Sequence, residues 1–191
     1  MPAKRSNPPR QFQILPMKKL SAFVFAVAIC VLGYAQDLDT HVKDGRILYQ
    51  HVFDGAIENP LEFIENLKGV GNVRELNGAY FGDVRVLQTD VKSIMTQVGL
   101  RWANTMIFLQ SADSKSQVQI EVKEDRYRVT VSDILLDFTN PSMGSNKPLE
   151  LYNLKKNGDL RPKQWDQTKL VYDHLFNDWF SGPKSVEEDD W

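Results

Sequence analysis

Cysteine is nearly absent from this chain. The one present, Cys30, lies inside an apolar run near the N-terminus. If that run is removed, no thiol remains, and disulfide scaffolds, thiol catalysis and cysteine-based metal sites drop out together. Histidine is scarce as well. His41, His51 and His174 show no His-x-x-x-His or comparable ligand spacing, so they read as unrelated polar residues rather than a metal site. Gly-x-Ser-x-Gly, the Walker loop and Gly-x-Gly-x-x-Gly are all missing, which leaves neither a nucleophile elbow nor a phosphate cradle to expect. No cofactor is expected. Gly69-Val70-Gly71 and Gly78 read as turn glycines. Long apolar runs are missing too: the longest, Leu20 to Leu32, has thirteen residues, short of the ~20 that a membrane-spanning helix needs.

What is there begins with that run. Met17-Lys18-Lys19 places basic charge before it, and Gly33-Tyr34-Ala35 after it puts small residues three and one positions before a cut. This layout predicts a secretory signal peptide over 17–35, cleaved between Ala35 and Gln36, with no stable membrane span afterwards. A lipid-anchored reading would acylate Cys30, but Ile29 stands where a small residue is wanted. Residues 1–16 are polar and hold Pro2, Pro8, Pro9 and Pro16; they read as a misassigned extension ahead of a start at Met17. Cleavage changes the charge. Five of the 23 Lys and Arg precede Gln36 and all 25 Asp and Glu follow it, so the remainder carries 18 basic and 25 acidic side chains, a net of −7 rather than −2. Such a surface disfavours nucleic acid and anionic membranes as partners. The length that remains suits one domain able to bury about two-thirds of its unfolded surface.

The clearest structural signal runs from Gln117 to Phe138. Gln-Val-Gln-Ile-Glu-Val-Lys, Glu-Asp, and Arg-Tyr-Arg-Val-Thr-Val-Ser-Asp-Ile-Leu-Leu-Asp-Phe alternate apolar and polar residues with the period of half-buried strands. A two-residue turn at Glu124-Asp125 pairs Val122 with Tyr127, Ile120 with Val129 and Val118 with Val131. The same register pairs Glu121 with Arg128, Gln119 with Thr130 and Gln117 with Ser132 on a polar face. The turn is the weak point, since neither residue favours left-handed geometry. Beyond it the apolar phase slips at Ser132-Asp133, which predicts a bulge there.

The rest of the chain is read around this hairpin. Gln36 to Gly45 is polar and reads as a leader. Arg46 to Phe53 is a β-rich run with Ile47, Tyr49, His51 and Phe53 on one face. Asn59, Pro60 and Glu62 open a short helix with Leu61, Phe63, Ile64 and Leu67 as its apolar stripe, and Gly69 stops it. Asn77-Gly78 joins Val73–Leu76 to Ala79–Phe81 as a hairpin. Asp83–Gln88 and Ser93–Leu100 read as further strands, Thr105–Gln110 as strand or helix, and Ser111–Ser116 as a polar loop. Asn140–Pro148 has linker composition, and Asn157-Gly158 marks a turn. A helix over about Trp165 to Phe180 aligns Val171, Leu175 and Trp179 beside Tyr172, Phe176 and Phe180; Gly182-Pro183 ends it before an acidic tail. The expected organisation is therefore a core over 46–139, a linker over 140–164, a helix over 165–181 packing on the core, and a tail over 182–191.

Ile120 to Ile134, with its strand, short turn and Arg-Tyr-Arg strand, resembles a family of small exported bacterial domains of unknown function with a TATA-binding-protein-like fold. The family often has glycine where this chain has Asp125, and often a tryptophan in the first helix, where residues 60–68 have none. The resemblance covers about Arg46 to Phe138. It implies a TATA-binding-protein-like half repeat and export to the periplasm or beyond in a Gram-negative envelope, with no activity to carry over.

The expected fold class is α+β, a single antiparallel sheet of four to six strands with helices packed on one face. The candidate surface is the hairpin's polar face: Gln117, Gln119, Glu121 and Lys123 against Arg126, Arg128, Thr130 and Ser132. Amides and hydroxyls beside an Arg–Glu pair suit an envelope protein, a peptide, a glycan or another small ligand. The expected function is a non-catalytic exported binding protein. The alternative is an envelope hydrolase using Asp133 and Asp137, four apart, as acid–base carboxylates. N-terminal sequencing of the protein recovered from the envelope is expected to begin at Gln36; an intact Met17 or an acylated Cys30 would refute the cleavage.

Overall fold

A computed structural model describes residues 39–182. The Ala35–Gln36 cleavage, Cys30 and the acidic tail beyond Gly182 lie outside the described residues. Seven strands form one sheet: β1 (His41–Lys43), β2 (Arg46–Asp54), β3 (Val70–Leu76), β4 (Ala79–Val86), β5 (Ala112–Lys123), β6 (Arg126–Phe138) and β7 (Lys147–Pro148). Their order is β1-β2-β6-β5-β4-β3, with β7 added beside β6, and every neighbouring pair is antiparallel. This is the α+β class expected, with six strands in the main path and β7 as a seventh.

The hairpin register is as the alternation requires. Val122 pairs with Tyr127, Ile120 with Val129, Val118 with Val131, Glu121 with Arg128, Gln119 with Thr130 and Gln117 with Ser132. Glu124 and Asp125 both avoid positive φ, so the turn is not type I′, unlike Asp44-Gly45 and Asn77-Gly78, whose four residues all take it. The Gly55 N–H donates to the Asp125 carbonyl at 2.7 Å, tying this turn to the end of β2. The bulge is where the phase slip put it. Lys115 pairs with Leu135 and Gln117 with Ser132, so Ser116 faces two residues, and Asp133 takes φ 52°. A second bulge lies in β3 between Gly71 and Arg74, with Asn72 at φ 54°.

The inner face of the sheet is buried. Ile47, Tyr49, Val84, Val86, Val118, Ile120, Tyr127, Val129 and Val131 are all 3% exposed or less. Against them lies α5 (Pro162–Phe180), which begins at a proline suited to a first helical turn. Its Val171, Tyr172, Leu175, Phe176, Trp179 and Phe180 are all buried, the face its spacing predicted. Tyr49 sits among Phe176 and Phe180, with ring centroids 5.0 and 6.3 Å away, and its hydroxyl donates to Asn177 Oδ1 at 2.7 Å. Burial, reinforced by the nearby Asp39 and Asp173 carboxylates, pushes the Tyr49 phenol well above its ordinary pKa. The Tyr127 hydroxyl donates to the Phe180 carbonyl at 2.5 Å, which fastens the end of α5 to β6.

Four stretches differ from the sequence reading. Residues 88–97, where a separator and a strand at Ser93–Leu100 were expected, form helix α2 (Gln88–Gln97). Val91, Ile94 and Met95 are buried at helical spacing, and the Asp90 carboxylate accepts the Leu87 N–H at 3.1 Å, satisfying an otherwise open donor at the helix start. Ser111–Ser116, read as a loop, divides between α3 (Ile107–Ser111) and the start of β5. Ala112, Ser114 and Ser116 alternate inward there; these small residues hid the period because they are not apolar enough to register. The 140–164 linker holds β7 and α4 (Glu150–Asn153), with Leu149 and Asn153 fully buried. The Glu150 carboxylate accepts the Ile47 N–H at 2.8 Å, and Asn153 Oδ1 accepts the Thr168 hydroxyl at 2.8 Å. Within the leader, β1 pairs with β2, and the Thr40 N–H donates to Asp173 of α5 at 2.6 Å.

Gly69, which follows helix α1 (Pro60–Glu65), has φ 75° and leaves no room for a side chain. A Cβ there would stand 2.4 Å from the Trp179 ring and 2.8 Å from the Arg85 carbonyl oxygen. Left-handed strain and overpacking act together at this position, so Gly69→Ala is expected to cost about 2–4 kcal/mol. Equilibrium denaturation will measure it; a loss within error would refute the packing described.

Candidate functional site

Because strand side chains alternate, burying one face of β2, β4, β5 and β6 sends the other residues outward. Gln117, Arg126 and Arg128 are exposed, and Gln119, Glu121, Thr130 and Ser132 half-buried. All candidate residues of the hairpin therefore share the outer face. Arg128 donates to the Glu121 carboxylate, and the Gln119 amide donates to the same carboxylate at 2.9 Å. From β2, Gln50 Nε2 donates to the Thr130 hydroxyl at 3.1 Å. Val52, Glu121, Lys123, Arg126 and Arg128 enclose a depression of about 180 Å³ near the hairpin turn. Three cations and one carboxylate line it, so this end of the face is cationic on a chain that is acidic overall.

Asp133 and Asp137 are not assembled as a catalytic pair. The bulge puts Asp133 in left-handed geometry, where it meets Arg46 at 3.4 Å. Asp137 meets Lys115 at 3.3 Å and faces Asp113 across the ladder. Each carboxylate has its own cation. Two of the histidines contact the same residue: His51 Nδ1 lies 2.7 Å from Asp39 Oδ1, and His41 Nδ1 lies 2.8 Å from the Asp39 carbonyl. His174 Nε2 is 3.1 Å from Gln97 Oε1. Among the described residues, no group of three or more His, Cys, Asp or Glu is arranged to hold a metal ion, and no helix is long and apolar enough to cross a membrane.

Sequence reasoning missed the other end of the outer face. A concavity of about 640 Å³ lies there, with Gly71, Asp83, Arg85, Lys115, Gln117 and Asp133 among its walls. Of these, only Gln117 was a candidate binding residue, and Lys115 stood in a supposed loop. The signal was present in part: Gly71 and the phase slip at Asp133 mark two bulges, but nothing in one dimension places them on the same face.

No family model matches the sequence, and no curated protein matches it. Among solved structures the chain is similar to a TBP-like protein from Parabacteroides distasonis ATCC 8503, at 17% identity and a TM-score of 0.43, over 74% of this chain and 94% of that one. It is also similar to a DUF4468 family protein from Bacteroides ovatus ATCC 8483, at 13% identity and a TM-score of 0.38, over 73% of this chain and 86% of that one. These are distant likenesses, of the kind to which the Ile120–Ile134 hairpin pointed, and no activity follows from them.

The Glu121–Arg128 pair offers a direct check of which side chains share this face. Glu121→Arg sets two guanidiniums opposite each other and is expected to lower stability by about 1 kcal/mol. Arg128→Glu in the same chain should restore most of the loss; a double variant no more stable than the single one would break the pairing.

Proposed function

We propose that this is an exported, non-catalytic protein of the bacterial cell envelope, which binds a partner protein or small ligand through the outer face of its sheet. What supports the reading is one arrangement: the hairpin holds Gln117, Gln119, Glu121, Arg126, Arg128 and Thr130 in a fixed outward row, while the inner face is taken up by the apolar core. Main-chain pairing sets the spacing of these groups before any ligand arrives, which lowers the ordering cost of binding. Amide, hydroxyl and guanidinium groups in that row offer donors and acceptors over a broad, shallow area, which suits recognition more than chemistry. The separate cations held by Asp133 and Asp137, with no nucleophile motif in the sequence, weigh against the hydrolase alternative. The layout of residues 17–35 supports export to the periplasm or beyond.

A photo-crosslinking residue at position 119 tests this in the native envelope, with one at Leu170, a half-exposed position on α5, as the comparison. Capture of a discrete partner from position 119, weakened by Arg128→Glu and missing from position 170, is expected. Capture from position 170 with none from position 119 would move the binding surface to the helices.

A further inference from the structure

We propose that the concavity at the bulged end of the outer face binds a short peptide or amino acid carrying both a free ammonium and a free carboxylate. The proposal rests on the reading of the outer face as a binding surface and names the ligand for one end of it.

The two bulges shape the site. Strand β3 shifts register after Gly71 and β6 shifts at Asp133, and both strands contribute to a concavity of about 640 Å³. Its floor is open at Gly71, where a Cβ would meet nothing within 4 Å. The register then sorts the charges into two rows. Arg85 faces Lys115 across β4 and β5, making a cationic row. Two residues along, roughly 7 Å by the rise of a strand, Gly71 faces Asp83, Asp83 faces Gln117 and Gln117 faces Ser132, with the bulged Asp133 next to Ser132. That second row holds an amide between two carboxylates.

Like charges directly opposite one another are unfavourable in a sheet. Of the four such pairs among the described strands, two are Lys43 with Arg46 and Lys123 with Arg126, and two lie beside this concavity, Arg85 with Lys115 and Asp113 with Asp137. Diagonal ion pairs offset the latter two, Arg85 to Asp113 at 3.2 Å and Lys115 to Asp137 at 3.3 Å. Both diagonals lead away from the second row. Among the described residues Asp83 accepts only a neutral amide, from Asn72 at 2.8 Å, and Asp133 meets Arg46 at the long distance of 3.4 Å. The concavity thus has a positive and a negative side. A simple anion would meet Arg85 and Lys115 but also Asp83 and Asp133, and a simple cation would suffer the reverse. A zwitterion satisfies both rows, with its carboxylate on the cations and its ammonium on the carboxylates. A sugar is a poorer fit, because no aromatic ring lines the concavity for its face to stack on.

The test titrates Ala-Ala-Ala with free termini, its N-acetyl form and its C-amide into isotope-labelled protein and follows backbone amide shifts. Saturable shifts at Asp83, Lys115 and Gln117 are expected, with each blocked terminus weakening binding by about tenfold or more. Gly71→Leu projects into the open floor and is expected to abolish binding with an unchanged unfolding midpoint. The site is overturned if the free peptide gives no saturable shifts, if blocked and free peptides bind equally, or if Gly71→Leu binds normally. If it falls while position 119 still captures a partner, the outer face remains a binding surface with a different ligand. If both fail, the face itself is not one.

Discussion

The packing of Phe176 and Phe180 around Tyr49 is the contact on which the rest of this structure depends. It presses the aromatic side of α5 against β2 next to β6, and all three rings are fully buried. Removing a side chain of this size from water contributes roughly 1.5–3 kcal/mol, so the six buried aromatic and aliphatic residues of α5 supply much of what holds the sheet in place. With Cys30 as its single cysteine, the chain can form no internal disulfide to substitute for that packing. Once α5 covers the inner face, β2, β4, β5 and β6 each have one side in the core and the other outside, and the outer row of polar side chains follows from the pleat.

Two left-handed residues make that outer row more than a flat solvated face. Asn72 and Asp133 each absorb an extra residue in their strands, and a bulge bends its strand and increases local twist. Gly82, which faces β3 where its register changes, is part of the same device: a Cβ there would stand 2.9 Å from the Gly71 carbonyl oxygen. The hairpin-turn end of the face is cationic and shallow, while the bulged end is concave and carries both signs. The polarity of the outer face thus comes from register and backbone geometry together.

The connections that look unstructured in composition carry fastening contacts. Thr40 and Asp39 tie the segment before β1 to Asp173 and His51, and Glu150 and Asn153 tie the 140–164 stretch to β2 and α5. In each case a polar side chain meets a backbone, hydroxyl or imidazole group far away in sequence. Such bonds leave no periodic trace, because their two partners are more than ten residues apart and neither belongs to an apolar pattern.

The hairpin pairs, the Ser132-Asp133 slip, the Asn77-Gly78 turn and the aromatic face of α5 were all legible in the sequence, because each depends on side-chain period or turn chemistry within one or two elements. Helix α2 was misread where Thr89–Lys92 interrupted the apolar count, and the start of β5 was missed where Ala112, Ser114 and Ser116 take inward positions without being strongly apolar. Of the candidate site, the sequence determined the composition and the outward direction of the polar row, since alternation alone decides which residues share a face. Only the tertiary structure decided that Gly71, Asp83, Arg85, Lys115 and Asp133 meet in one concavity. They come from four strands, and which strands lie side by side depends on how the sheet packs beneath α5.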